Sequence, residues 1–290
     1  NKLFWYFKNV KAITKILNKN QNAIAIAFLS RSIYMLTICS LFTKNKIILS
    51  ERNDPTKWPQ GFLRKKMRDL CFCFADSCVF QTQKAMSHFP NIVQKKGIII
   101  YNPCNPNLPS KVIGPRRKVI ISVGRLHKQK NFVMLIKAFA KLSKEYPEYI
   151  LEIYGQGEEE TRLKNLIYEL NLENRVFLPG FTKNIYTKMV DSTMYICSSD
   201  YEGISNAMLE ALGMGVPTIS TDCPAGGAKE MINNGVNGLL VPVGDSDSMY
   251  IAMKKIIDEP QFAEMISSNA CIIKQKLNIE KISKQWIEVM

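Results

Sequence analysis

Short β-rich runs alternate with amphipathic helical segments along most of the chain, and this alternation restricts the fold more than any other feature. From Lys118 onward the runs are Val119–Val123, Ile150–Tyr154, Val176–Leu178, Met194–Cys197, Val216–Ser220 and Leu239–Val241. Before it, Ile24–Phe28, Ile47–Ser50, Cys78–Phe80 and Ile98–Ile100 repeat the pattern. Strands that alternate with helices build a parallel sheet wrapped by helices, so an α/β fold is expected. A Pro- and Asn-rich stretch, Asn102 to Pro115, separates the two series and reads as a linker. The expected organisation is a partial N-terminal domain over 1–110 and a C-terminal domain over 111–290. Both are Rossmann-like and face a cleft at the carboxyl ends of their strands, where open α/β sheets bind ligands. The first series has four strands and no glycine-rich first turn, so the N-terminal domain is expected to be truncated. On that reading two βα units of about 30 residues each precede Asn1 in a longer protein. Helices over Gln261–Lys276 and Ile279–Val289 close the chain, the last free to pack back on the first domain.

With 290 residues and 46% hydrophobic content the chain can bury two ordinary cores, which excludes a disordered chain. Its net charge of +14 is unevenly placed: residues 1–110 hold 17 Lys and Arg against 4 Asp and Glu, and residues 111–290 hold 22 against 21. One half is thus expected to face an anion such as a nucleic acid, a membrane surface or a phosphorylated acceptor. The eight cysteines sit mostly in apolar runs and His88 and His127 are the only histidines, so buried reduced thiols, a cytosolic location and no metal site are expected. Ala23–Phe42 is the most apolar stretch, but Arg31 near its centre would cost about 2.5–3.5 kcal/mol in a bilayer. A strand followed by a helix fits it better.

Chemistry concentrates in Glu202-Gly203-Ile204-Ser205-Asn206-Ala207-Met208-Leu209-Glu210. The preceding strand delivers Glu202 to a loop, Ser205 is a plausible N-cap, and Gly213 or Gly215 before Pro217 ends the helix. Glu210 then lies about one turn inside. Eight residues span at most about 12 Å along a helix axis, a length that suits a sugar at one end and a ribose at the other. Backbone N–H groups from Gly203 to Asn206 would face a diphosphate between them, which a helix N-terminus favours. A second group, Gly124-Arg125-Leu126-His127-Lys128-Gln129-Lys130-Asn131, follows another strand. Arg125 and Lys130 would bring two positive charges to the same sheet edge and could neutralise a leaving diphosphate. Alone, such a turn reads equally as a solvated basic loop.

The order SVGRL-x4-N, EIYGQGEEE, LPGF, SSDYEGISNAMLEAL, GVPTISTDCPAGGAKEMI and NGVNGLLVPVGD, over residues 118–258, resembles glycosyltransferase family 4. The resemblance implies a GT-B fold and a retaining transferase that moves a hexose or N-acetylhexosamine from a nucleotide sugar, with UDP expected. Glu202 would bind the donor sugar, Glu210 the ribose, and Arg125 with Lys130 the diphosphate, while Gly180-Phe181 would lie beside the nucleobase. Gly124, Gly203, Ile204, Ser205 and Asn206 complete the expected donor site. Ser50–Pro55 and Asp222–Gly227 are similar to members that add N-acetylhexosamines in bacterial surface-glycan assembly. A glycan or polyprenyl-diphosphate-linked acceptor, held by the N-terminal domain at the inner face of the plasma membrane, is implied. By the same analogy the acceptor hydroxyl attacks on the face the diphosphate leaves. Glu202 as covalent nucleophile is the lesser alternative. No metal or other cofactor is expected, since Arg125 and Lys130 supply the positive charge.

Weaker signals are more ambiguous. Gly155-Gln156-Gly157 lacks the third glycine of a dinucleotide fingerprint and reads as a tight turn opening a helix. Lys8, Lys11, Lys15 and Lys19 fall on one helical face, with Phe4, Phe7, Val10, Ile13 and Leu17 on another. With Arg64-Lys65-Lys66-Met67-Arg68 they suit a membrane-surface element or an ordinary solvated face. Arg31, Glu51 and Arg52 follow strands and are acceptor-side candidates. Two other classes stay open: a sugar-nucleotide-binding protein that does not catalyse, and a basic nucleic-acid-binding module, although the aromatics are not interleaved with the cations as stacking platforms need.

Overall fold

The structure, a computed structural model, describes residues 2–290. Two compact units emerge: Asn1–Asn102 with Glu280–Met290, and Pro103–Ile279. Unit 1 runs α1 (Lys2–Lys19), β1 (Ala25–Ala27), α2 (Ser30–Ser40), β2 (Ile47–Ser50), α3 (Phe62–Phe74), β3 (Ser77–Phe80), α4 (Gln83–Met86), α5 (Asn91–Gln94) and β4 (Gly97–Ile99). The four strands pair in parallel in the order β1-β2-β3-β4. All four residues of β2 are buried, as expected of a central parallel strand covered on both faces.

Unit 2 holds β5 (Arg117–Val123), a 3-10 turn (Lys128–Lys130), α6 (Phe132–Glu145), β6 (Ile150–Tyr154), α7 (Glu160–Glu169), β7 (Val176–Gly180), α8 (Ile185–Met189) and β8 (Ser192–Cys197). It continues through α9 (Asn206–Gly213), β9 (Thr218–Thr221), α10 (Gly227–Met231), β10 (Leu239–Val241), α11 (Ser246–Asp258), α12 (Pro260–Ala270) and α13 (Ile273–Lys276), and α14 (Ile279–Val289) follows. Its six parallel strands take the order β10-β9-β8-β5-β6-β7. The neighbours β5 and β8 are the two strands whose helical crossovers run in opposite directions across the sheet. A crevice opens at the carboxyl ends of such a pair.

Local chemistry explains the starts of the helices that matter. Ser205 caps α9 by accepting from the Met208 N–H (3.4 Å). Asn131, in the left-handed region at φ 42°, caps α6 by accepting from the Met134 N–H at 3.1 Å. β9 begins only at Thr218, because Pro217 has no N–H and the Val216 N–H is taken by the Ala211 carbonyl at 2.9 Å.

The handover between units differs from the expected division at 110/111. The stretch read as a linker is part of unit 2: Cys104 and Leu108 are buried, the Cys104 N–H donates to the Leu277 carbonyl (2.8 Å), and Lys274 Nζ donates to the Pro109 carbonyl (3.2 Å). Glu280–Met290 belongs to unit 1, where Lys46 Nζ donates to the Val289 carbonyl at 2.6 Å. The single helix expected over 261–276 is two, α12 and α13, and the break turns Ile273 and Leu277 into buried positions.

Candidate donor site

Lys130 and Glu202 come together at the β5/β8 crevice as an ion pair, with side chains 18% and 20% exposed. Burial works against charge on Lys130, yet the Glu202 carboxylate beside it more than compensates, so its pKa lies above the ordinary lysine value. Ser199 Oγ donates to the same carboxylate oxygen at 3.2 Å. The loops that carry the pair are tied to each other. Asn131 Nδ2 donates to Asp200 Oδ1 (2.6 Å), Gln129 Nε2 to the Tyr201 carbonyl (2.8 Å), and Ser198 Oγ to the Lys130 carbonyl (2.7 Å).

Two close approaches fix those loops from behind. A Cβ on Gly155 would stand 1.9 Å from the Gly124 carbonyl oxygen, and one on Gly227 would stand 1.7 Å from that of Gly203. Only glycine fits at either place. The Gly155-Gln156-Gly157 segment therefore backs the Gly124–Leu126 turn, and the first residue of α10 backs the loop of Glu202.

The remaining predicted donor residues are distributed around the pair. Gly203, Ile204 and Ser205 are buried in the turn into α9, and Asn206 is exposed at its first residue. Gly124, Arg125, Gly180 and Phe181 line a cavity of about 370 Å³ together with Gln156 and Thr182. Arg125 is exposed there rather than held in the ion pair, and Phe181 is 71% exposed. A larger cavity of about 650 Å³, between the Ile232–Asn237 segment and Ile272, holds none of the predicted residues.

Glu210, half-buried on α9, accepts from the Tyr186 hydroxyl at 2.9 Å, and Asn105 Nδ2 donates to that hydroxyl at 3.0 Å. Burial raises the Glu210 pKa and the Tyr186 hydrogen bond opposes the rise. Sequence reasoning missed Tyr186, because a lone tyrosine on a short helix carries no local sign of a partner 24 residues away. Ser199 and Asp200 were within sight, since both stand inside the motif that holds Glu202. Losing one hydrogen bond to a charged group costs about 1.5 kcal/mol, so Tyr186→Phe should lower the unfolding free energy by about that much in urea titration. Unchanged stability would leave Tyr186 a packing residue.

The acceptor-side candidates all lie in unit 1, where Glu51 and Arg52 adjoin and Arg31 has other partners. Arg31 stacks over the Trp5 ring at 5.6 Å. Arg52 sits over the rings of Phe28 (5.4 Å) and Trp286 (5.3 Å) and donates to the Ile100 carbonyl (3.0 Å) and Asn102 Oδ1 (3.2 Å). Burial lowers its pKa to about 10. Glu51 is 6% exposed and accepts from the N–H groups of Arg52 (3.0 Å) and Asn53 (2.9 Å). Its pKa is pushed up to about 7, with burial the main cause and the Asn53 N–H the first opposing one. A carboxyl whose folded pKa exceeds its unfolded value loses stability as pH rises from the unfolded pKa through the folded one. Above about pH 7 the unaltered chain should be roughly 3 kcal/mol less stable, relative to Glu51→Gln, than it is near pH 4.5. Urea unfolding of both forms at pH 5 and pH 7.5 checks this, and a constant difference between them would contradict it.

A six-stranded doubly wound sheet with a cation, a carboxylate and a helix N-terminus at its switch point defines a nucleotide-binding domain of the Rossmann-like class. Known proteins narrow that class. The family described as glycosyl transferases group 1 matches residues 107–271, and the chain belongs to it. It is 32% identical over 191 residues to an uncharacterized glycosyltransferase of Haemophilus influenzae, an alignment that covers 64% of this chain and spans only 54% of that relative's length. It is 29% identical over 281 residues to a Campylobacter jejuni protein named as an N-acetylgalactosamine-N,N'-diacetylbacillosaminyl-diphospho-undecaprenol 4-alpha-N-acetylgalactosaminyltransferase, covering 91% of this chain and 74% of that one. Among solved structures, Anabaena HepE in complex with UDP matches with a TM-score of 0.83 at 22% identity, over 96% of this chain and 80% of that one. That likeness establishes the fold, GT-B with two Rossmann-like units.

Proposed function

We propose that this chain transfers a hexose or N-acetylhexosamine from a UDP-sugar to a glycan carried on a polyprenyl diphosphate, with retention, at the inner membrane surface. The observation that carries the reading is the Lys130–Glu202 ion pair closed across the β5/β8 crevice at the N-terminal end of α9. In this reading Glu202 receives sugar hydroxyls, and Lys130 the diphosphate. In the same reading Glu210, which the Tyr186 hydroxyl supports, binds the ribose, and the 370 Å³ cavity beside Gly180 and Phe181 takes the base. The names of the Campylobacter relative and of the UDP-bound Anabaena structure support the choice of donor and acceptor class.

In the proposed reaction the bond from the anomeric carbon to the diphosphate breaks and the acceptor oxygen bonds to that carbon on the same face. The acceptor proton passes to a phosphate oxygen. Lys130, Arg125 and the α9 N-terminus carry the growing negative charge of the leaving group, so no metal is required by this picture. Release of nucleoside diphosphate, followed with a panel of donors and lipid-linked glycans, tests it. Removing one such donor of positive charge costs roughly 10²–10³ in turnover, the loss expected for Arg125→Ala. Full turnover in both Arg125→Ala and Glu202→Ala would remove the proposed site.

A further inference from the structure

We propose that the solvent face of α3, helped by the exposed cations of α1, which packs against the same helix α2, is a docking surface for an anionic lipid bilayer. The proposal rests on the lipid-linked acceptor only for its purpose, since the surface is argued from unit 1 alone. α3 is inverted relative to an ordinary surface helix. Its inward side carries a guanidinium: Arg68, 4% exposed, donates to the carbonyls of Pro55 (2.7 Å) and Trp58 (2.9 Å) and lies 4.4 Å over the Phe89 ring. Phe72 is buried on the same side. On the outer side Leu63, Met67, Leu70 and Phe74, at helical spacings of four, three and four, are 72%, 50%, 58% and 54% exposed. A water-facing helix normally turns such a stripe inward, and a contiguous apolar strip left outside marks a partner surface.

Charge selects the partner. α1, α2 and α3 together carry ten Lys and Arg and a single acid, Asp69, which is ion-paired to Arg68 at 2.7 Å. Lys8, Lys11, Lys15, Arg64 and Lys66 are all exposed, and both α1 and α3 pack against α2. Arg68 does not belong to this surface, and neither do Val10 and Leu17 of α1, which are buried, whereas Phe4 and Phe7 remain outside. Apolar side chains flanked by cations, with no accessible acid among them, match the acyl boundary and anionic headgroups of a bilayer. A nucleic acid would gain nothing from Leu63, Met67 and Leu70, because only aromatic faces stack with bases.

Co-sedimentation of the full chain with phosphatidylglycerol–phosphatidylcholine vesicles, against phosphatidylcholine alone, tests the proposal. The unaltered chain should favour the anionic vesicles by about tenfold or more, in line with the gain from several surface cations. One variant carries Leu63→Ser, Met67→Ser, Leu70→Ser and Phe74→Ser, and another Arg64→Glu and Lys66→Glu. All six positions are exposed, so both variants should keep their unfolding temperature and their affinity for UDP while losing about tenfold or more in vesicle binding. Vesicle binding within about twofold of the unaltered chain in either variant overturns the proposal. So does a change from dimer to monomer in the stripe variant, which would make the partner a second copy. UDP binding without vesicle binding by the unaltered chain defeats the docking surface and leaves the donor site standing. Vesicle binding without UDP binding does the reverse.

Discussion

Lys130→Met should abolish sugar transfer, with a loss of about 10³ in turnover, and should also lower stability. The two losses have different origins. Lys130 is the cation nearest Glu202, and both side chains are about four-fifths buried, so removing one leaves the other's charge poorly solvated. Breaking a fully buried pair costs about 3–5 kcal/mol, and partial exposure here reduces that to roughly 2 kcal/mol. Replacing both partners, as in Lys130→Met with Glu202→Leu, should recover most of the stability, because no uncompensated charge remains. It should recover none of the transfer. Urea unfolding and diphosphate release on the two single variants and the double variant separate these effects. A double variant that is both stable and active would show the pair to be structural.

Gly227→Ala should be nearly as severe, although it changes no charge and touches no substrate. The added methyl would overlap the Gly203 carbonyl oxygen at 1.7 Å, and that oxygen belongs to the loop of Glu202. Either α10 moves away or the loop does, at a cost of about 3 kcal/mol. A displacement of about 1 Å at a positioning loop is enough to lower turnover about a hundredfold. The expected result is a lower unfolding midpoint together with UDP affinity and turnover both reduced. Wild-type turnover would mean that α10 yields without moving Glu202.

Much of this arrangement is legible in the residues themselves, for reasons of range. The ten strands answer to short apolar runs, and α9 answers to Ser205 as cap and Gly215, at φ 66°, as stop, because each signal acts within a turn or two of the chain. The convergence of Lys130 and Glu202 follows from their equivalent places just beyond two strands, once those strands are neighbours. What the sequence conceals is contact between distant segments. Nothing near Gly227 announces Gly203, and nothing near Tyr186 announces Glu210 and Asn105. Arg68 reads as one more surface cation of a basic run, yet the carbonyls of Pro55 and Trp58 hold it inside. The Pro-rich stretch after Asn102 has the composition of a linker, but Cys104 and Leu108 are apolar enough to bury against unit 2. Composition reports how a segment solvates itself, not whether a neighbour offers a place for it.

A crystal structure with an intact UDP-sugar soaked in tests the central claim most directly. Lys130 and the first turn of α9 should lie about 3 Å from the diphosphate oxygens, Glu202 should have left Lys130 for the sugar hydroxyls, and Glu210 should hold the ribose. A donor bound elsewhere, with the Lys130–Glu202 pair still closed, would contradict the account.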